Sequence, residues 1–143
     1  MKENYLDDFK IIFSELEKFT KKYYKDEEFN VDFGDDPDSV QKYINHEIFL
    51  KSLDESIDRV KYLNLPIISE GYLNYEYDRF YINDTELHAG MTFEVLIDNE
   101  IDDPHWQRTR IEYDFDKSAW YLVGISRFIK LEGLKARSRF LEY

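Results

Sequence analysis

Pro66 separates two halves of the chain that follow different hydrophobic periods. Before it, Tyr5, Phe9, Ile12, Phe13, Leu16, Phe19 (or Thr20) and Tyr23 recur at steps of three and four. That spacing predicts an amphipathic helix over about residues 3–25, with this stripe buried and Glu15, Glu17, Lys18, Lys21 and Lys22 in water. Gly34-Asp35-Asp36-Pro37 then reads as a turn followed by a helix start. Asp36 suits the N-cap, Pro37 the first helical position, and Asp38 the positive end of the helix dipole. Val40, Ile44, Ile48, Phe49, Leu53, Ile57, Val60 and Leu63 carry a second helix toward Pro66, either unbroken or interrupted near Asn45-His46. Proline cannot continue it.

After Pro66 the period shortens to two. Gly71 to Tyr75, Phe80 to Ile82, Thr92 to Ile97, Trp106 to Tyr113, Trp120 to Val123 and Lys135 to Leu141 all read as short strands. In the fourth, Gln107, Thr109, Ile111 and Tyr113 share one face, while Trp106, Arg108, Arg110 and Glu112 share the other. Five or six such strands suggest a small bent barrel or rolled sheet. The expected organisation is a helical unit over residues 1–66 and a small β domain over 67–143. Phe13, Leu53, Val95 and Trp120 are expected core residues.

The negative charge is unevenly placed. From Asp26 to Asp38 there are seven acids and no Lys or Arg, and from Glu70 to Asp103 there are ten acids against Arg79 alone. The formal net charge is −12. Such blocks repel phosphate backbones and attract basic surfaces, so direct nucleic-acid binding is not expected. Arg127, Lys130, Lys135, Arg137 and Arg139 make the C-terminus locally basic, and internal pairing with the acids is their expected fate. Arg108 and Arg110 are expected to ladder against acids across the sheet.

Little in the sequence suggests catalysis. With no cysteine, disulfides and thiolate chemistry are excluded. His46, His88 and His105 show no metal-ligand spacing. Asp98, Glu100, Asp102 and Asp103 share only their charge with a calcium loop, which needs alternating ligands, a central glycine and a terminal glutamate. No Gly-framed nucleophile and no phosphate-cradling loop is present. The expectation is a protein that is not an enzyme and needs no cofactor. The first residues lack a basic-then-apolar leader and no apolar run is long enough for a bilayer, so a cytoplasmic protein is expected.

The second half also resembles a known family. The segments that carry the likeness are Gly71-Tyr72-Leu73, Arg79-Phe80-Tyr81-Ile82, Leu87-His88-Ala89-Gly90, Phe93-Glu94-Val95, Trp106 to Glu112, Trp120 to Val123 and Gly133-Leu134-Lys135. In this order they resemble an uncharacterised small β-domain family, a domain of unknown function common on mobile elements of low-GC Gram-positive bacteria. The likeness covers about residues 70–140. It implies an SH3-like barrel and a mobile-element setting, and no activity. The fold expected is therefore α+β: an antiparallel helix pair packed with a small antiparallel SH3-like β-barrel.

Charge placement and this resemblance together suggest a non-catalytic inhibitor from a mobile element. Its partner would be a basic nucleic-acid-handling host protein, such as an RNA-guided nuclease, whose channels are strongly basic. That reading makes the protein an anti-CRISPR acting by nucleic-acid mimicry. The candidate contact residues are Asp32, Asp35 and Asp36 in the first acidic loop, with Asp98, Glu100, Asp102 and Asp103 in the second. The alternative is a non-catalytic adaptor that holds a peptide or partner subunit on the β domain or the helices.

Overall fold

The computed structural model describes residues 2–99, 101 and 103–139, which fall into two compact units, Met1–Asn64 and Leu65–Tyr143. In the first unit α1 spans Lys2–Tyr23 and α2 spans Pro37–Tyr62. Between them β1 (Tyr24–Lys25) and β2 (Glu28–Phe29) form a minimal hairpin. Its two-residue turn, Asp26-Glu27, has positive φ at both positions, the twist that matches a tight antiparallel turn. Asp36 caps α2 through the Ser39 amide and Pro37 follows it. The helix then runs unbroken through Asn45-His46, where the Asn45 side-chain amide donates to the Gln41 carbonyl at 2.8 Å.

The interior of this unit differs from the expected one. Tyr24, Phe29 and Leu50 are buried together, with Val31, Phe33, Tyr43 and Leu53 packed around them. The hairpin and the loop after it therefore fill the space beside α2, and Tyr43 secures them by donating its hydroxyl to the Phe29 carbonyl at 2.9 Å. The apolar stripe of α1 is covered along one edge only: Phe9, Phe13 and Leu16 are half-buried, while Tyr5, Ile12, Phe19 and Tyr23 are exposed. Among the described side chains of α1 Thr20 alone is buried; Glu17 is half-buried and holds Lys61 of α2 at 2.7 Å. Val40, Ile44, Ile48 and Phe49 of α2 are likewise exposed, while Leu50, Ile57 and Tyr62 are the helix's buried positions.

The second unit is a curled, seven-stranded antiparallel sheet in the order β5-β4-β3-β9-β6-β7-β8. The strands are β3 (Ile67–Glu76), β4 (Arg79–Ile82), β5 (Thr85–Leu87), β6 (Thr92–Ile97), β7 (His105–Asp114), β8 (Ala119–Leu122) and β9 (Lys135–Arg139). The ladder is open, a half-barrel with β5 and β8 at its edges. β5 lacks a sequence signal of its own, because three residues are too few to display a period.

One face of the sheet buries Leu73, Ile82, Leu87, Phe93, Val95, Ile111, Leu122 and Ala136. Trp120, Met91, Ile129, Leu131 and Leu134 pack against them, half-buried. Of the four expected core residues only Val95 is fully buried; Leu53 and Trp120 line the two cores. Gly71 has a specific role. A Cβ there would stand 2.4 Å from the Asn83 side-chain oxygen, while the Asn83 amide donates to the Glu70 carbonyl at 3.0 Å. No helix among the described residues is long and apolar enough to cross a membrane.

Candidate functional site

The first acidic loop is shaped by its own side chains. Asp32 accepts the Gly34 amide at 2.8 Å, and Gly34 turns the chain with φ of 112°. Asp36 accepts the Ser39 amide at 3.0 Å and the Ser39 hydroxyl at 2.6 Å. These two bonds, the hydroxyl first, hold the Asp36 carboxyl below the usual aspartate range. Asp36 is therefore committed to the helix cap, and a partner meeting this loop would find Asp32, Asp35 and Asp38 exposed around it. Two shallow hollows open beside them. One of about 420 Å³ is walled by Val31, Asp32, Phe33, Asp35, Val40 and Tyr43. The other, about 490 Å³, lies over Pro37, Val40 and Ile44 with Asp35 again at its rim. An apolar floor with carboxylates at the rim suits a basic segment that also carries an apolar anchor.

The capping role gives a pH-dependent expectation. A carboxyl whose folded pKa is depressed supplies its stability above the unfolded pKa and loses it as pH falls through the folded value. Asp36→Ala should therefore lower the melting temperature at pH 7 more than Asp35→Ala, and the gap should close in acid. Thermal melts of the two variants from pH 7 down to about 2 check this, and a gap that persists in acid refutes it.

The second acidic loop joins β6 to β7. Asp98 and Asp103 are exposed, whereas Glu100 and Asp102 lie outside the described residues. Asn99 accepts the Ile101 amide at 2.9 Å, and the Asp103 carbonyl lies 2.8 Å from His105 Nδ1. The two acidic loops belong to separate units, so each is a candidate surface by itself.

Some of the acid between Glu70 and Asp103 is paired within the β unit, and Glu94 is buried there. Glu70, Arg137, Glu94 and Arg108 stand opposite one another on β3, β9, β6 and β7, a rung of alternating charge across four strands. Glu94, only 3 % exposed, accepts Arg137 Nε and Nη2 at 3.1 and 2.9 Å and also Arg139 Nε. Arg137 in turn lies over the Trp106 ring at 4.1 Å. Glu86 faces Arg79 at 3.5 Å. Asp78 accepts the Tyr75 hydroxyl at 3.1 Å. Arg127 donates to Asp114 at 2.9 Å, the main reason that the Asp114 carboxyl sits below its ordinary range, and stacks on Tyr121. These pairings use Arg127, Arg137 and Arg139 internally. Alternation within each strand was legible, but the register that sets Glu94 between Arg137 and Arg108 has no signal in any one strand.

A further feature had no sequence signal: an aromatic cleft of about 880 Å³ in the β unit. Tyr75, Phe80, Tyr113, Phe115 and Trp120 line it, with Arg79 at 5.5 Å from the Trp120 ring centre. The Trp120 indole donates to the Asp78 carbonyl at 3.1 Å, and Tyr113 stands edge-on between Phe115 and Trp120, each at 5.0 Å. The wall comes from β3, β4, β7 and β8, whose aromatics are distant in sequence. No group of three or more metal-ligating side chains occurs among the described residues.

Comparison with curated proteins and with solved structures finds no match. A family model does match the sequence of the β unit. Residues 71–138, from β3 to β9, match the family model described as Domain of unknown function (DUF5348), an uncharacterised small-domain family and the region in which the likeness was read from sequence.

Proposed function

We propose that the protein is a non-catalytic inhibitor from a mobile element. It binds a basic, nucleic-acid-handling host protein of the RNA-guided nuclease kind, an anti-CRISPR type of action in the cytoplasm. The observation that carries this reading is the start of α2, where Asp32 and Asp35 in the preceding loop are exposed beside an apolar hollow and Asp38 is exposed in the first helical turn. Solvated carboxylates in such a place can meet Lys and Arg side chains that otherwise hold phosphates. Asp98 and Asp103, with Glu100 and Asp102, offer a second acidic contact. Asp36 supports the first by capping α2. We take the curled sheet as an SH3-like barrel, the scaffold for the second loop.

Charge reversal tests the reading. Asp32→Lys/Asp35→Lys leaves the Asp36 cap in place, and Asp98→Lys/Asp103→Lys treats the other loop. Single exposed ion pairs contribute ~0–1 kcal/mol, so only block changes should register. The first double variant should lose at least about tenfold in affinity for a purified RNA-guided nuclease, and parent binding should weaken steeply with salt. Parent-like binding and inhibition by both block variants would sink the proposal.

The aromatic cleft favours a second reading, an adaptor that takes an extended peptide on the β unit, because aromatic walls bury apolar side chains and leave the peptide backbone hydrated. Tyr113→Ala/Phe115→Ala in the same binding assay separates the two. Loss of partner binding in that variant alone supports the adaptor.

A further inference from the structure

The face of α1 that stays uncovered has the pattern of a coiled-coil seam. Tyr5, Phe9, Ile12, Leu16, Phe19 and Tyr23 follow steps of 4, 3, 4, 3 and 4, a heptad spacing sustained along the helix. Tyr5 is 64 % exposed, Ile12 56 %, Phe19 43 % and Tyr23 37 %, while Phe9 and Leu16, on the edge of the stripe toward Thr20, are half-buried. α2 reaches a different side of α1: Glu17 pairs with Lys61, and Thr20 beside it is buried. At about 100° per residue that side lies roughly a quarter turn from the seam. The seam is also pre-ordered, because Tyr5 stacks on Phe9 at 5.9 Å and Phe19 meets Tyr23 at 5.2 Å.

We propose that α1 is a homodimerisation helix, its seam covered by α1 of a second copy lying antiparallel about a two-fold axis. The charges select both the occupant and the direction. With Phe9, Leu16 and Tyr23 at one core position and Tyr5, Ile12 and Phe19 at the other, an antiparallel copy sets Tyr5 opposite the partner's Tyr23. It likewise sets Phe9 opposite the partner's Phe19 and Ile12 opposite the partner's Leu16. Each layer then joins the two core positions. The same alignment brings Asp8, which flanks one end of the seam, against the partner's Lys22, which flanks the other, and the symmetry makes this pair twice; at the axis it sets Glu15 beside the partner's Glu15, where Lys18, 3.4 Å from Glu15, offsets the like charges. A parallel alignment sets Asp8 against the partner's Phe13 and gains no such pair. Neither Asp8 nor Lys22 is spent on an ion pair among the described residues. Covering the seam and its flanks removes roughly 600–700 Å² per copy, at the lower end of what stable dimers bury. With two rim ion pairs and no buried anchor, association is expected at micromolar concentrations rather than below.

Sedimentation velocity of the full chain across roughly 1–100 µM is the test. The chain should pass from monomer to dimer in that range. Ile12→Glu/Phe19→Glu should remain monomeric with an unchanged helical circular dichroism spectrum. Asp8→Lys should weaken the dimer about tenfold, and Asp8→Lys/Lys22→Asp should restore it to within about twofold. The reciprocal pair lies on the surface, so it decides the matter if the glutamate variant does not fold. A parent that is monomeric throughout overturns the proposal, and so does a dimer indifferent to Ile12→Glu/Phe19→Glu. Failure of the double charge swap to restore association overturns the antiparallel arrangement. A monomeric parent whose melt collapses on Ile12→Glu/Phe19→Glu means that the rest of the same chain covers the seam, which also refutes it.

Discussion

Glu94→Ala should destabilise the β unit by about 3–5 kcal/mol, the cost of breaking a buried ion pair from one side. Glu94 is the centre of a cluster in which Arg137 and Arg139 converge on its two carboxylate oxygens. Both guanidinium side chains are largely withdrawn from water, at 16 % and 9 % exposure. Removing the carboxylate leaves two like charges facing each other with their hydration already lost. Arg139 also donates to the Leu65 carbonyl at 2.9 Å, so the disturbance should reach the start of the unit. Glu94→Gln keeps the shape and one acceptor but not the charge, and should fall between the parent and the alanine variant. Urea unfolding followed by circular dichroism measures all three. A loss under about 1 kcal/mol for Glu94→Ala would mean that the cluster is solvated and the buried-pair description wrong.

Phe93→Ala should have an effect of similar size by a different route. Phe93 is the largest of the side chains withheld completely from solvent, and it shares the core with Val95, Ile111 and Leu122. Truncation removes the ring and leaves a cavity that a sheet pinned on both sides fills poorly, at about 3–5 kcal/mol. Phe13→Ala is the control. It removes the same ring from a half-buried position on α1 and should cost distinctly less. Equal losses for the two variants would show that the interior of the β unit is looser than its burial implies.

The acidic loops carry the weakest link between sequence and site. A count of charges alone groups Asp32, Asp35 and Asp36, whereas the helix-start pattern already sets Asp36 apart as a cap, and the fold bears that out. Asp36 spends both oxygens on Ser39, whereas Asp35 stays exposed at the rim of two hollows. The same count put Glu94 in an acidic block, and the fold removed it from the surface. Net charge describes a long-range field, and a field is indifferent to which carboxylates are already paired.

Local physics was legible before any fold was known. The change of period at Pro66, the Asp36-Pro37 helix start, the strand Thr92–Ile97 and the two faces of the strand around Thr109 all depend on neighbours within a few residues. Backbone sterics and side-chain alternation decide such features without reference to the rest of the chain. Covering and pairing belonged to tertiary structure. The α1 stripe reads as a core face, but amphipathicity states only that a face is apolar and not what lies against it. In this chain the hairpin residues Tyr24 and Phe29 took the place beside α2, and Tyr5, Ile12, Phe19 and Tyr23 of the stripe were left outside. Strand order and register were equally nonlocal. Pairing β9 between β3 and β6 set Glu94 under Arg137 and Arg139 and left the sheet open at β5 and β8, and gathering strands far apart in sequence built the aromatic cleft. These contacts join residues tens of positions apart, and no one segment holds the free energy that selects them.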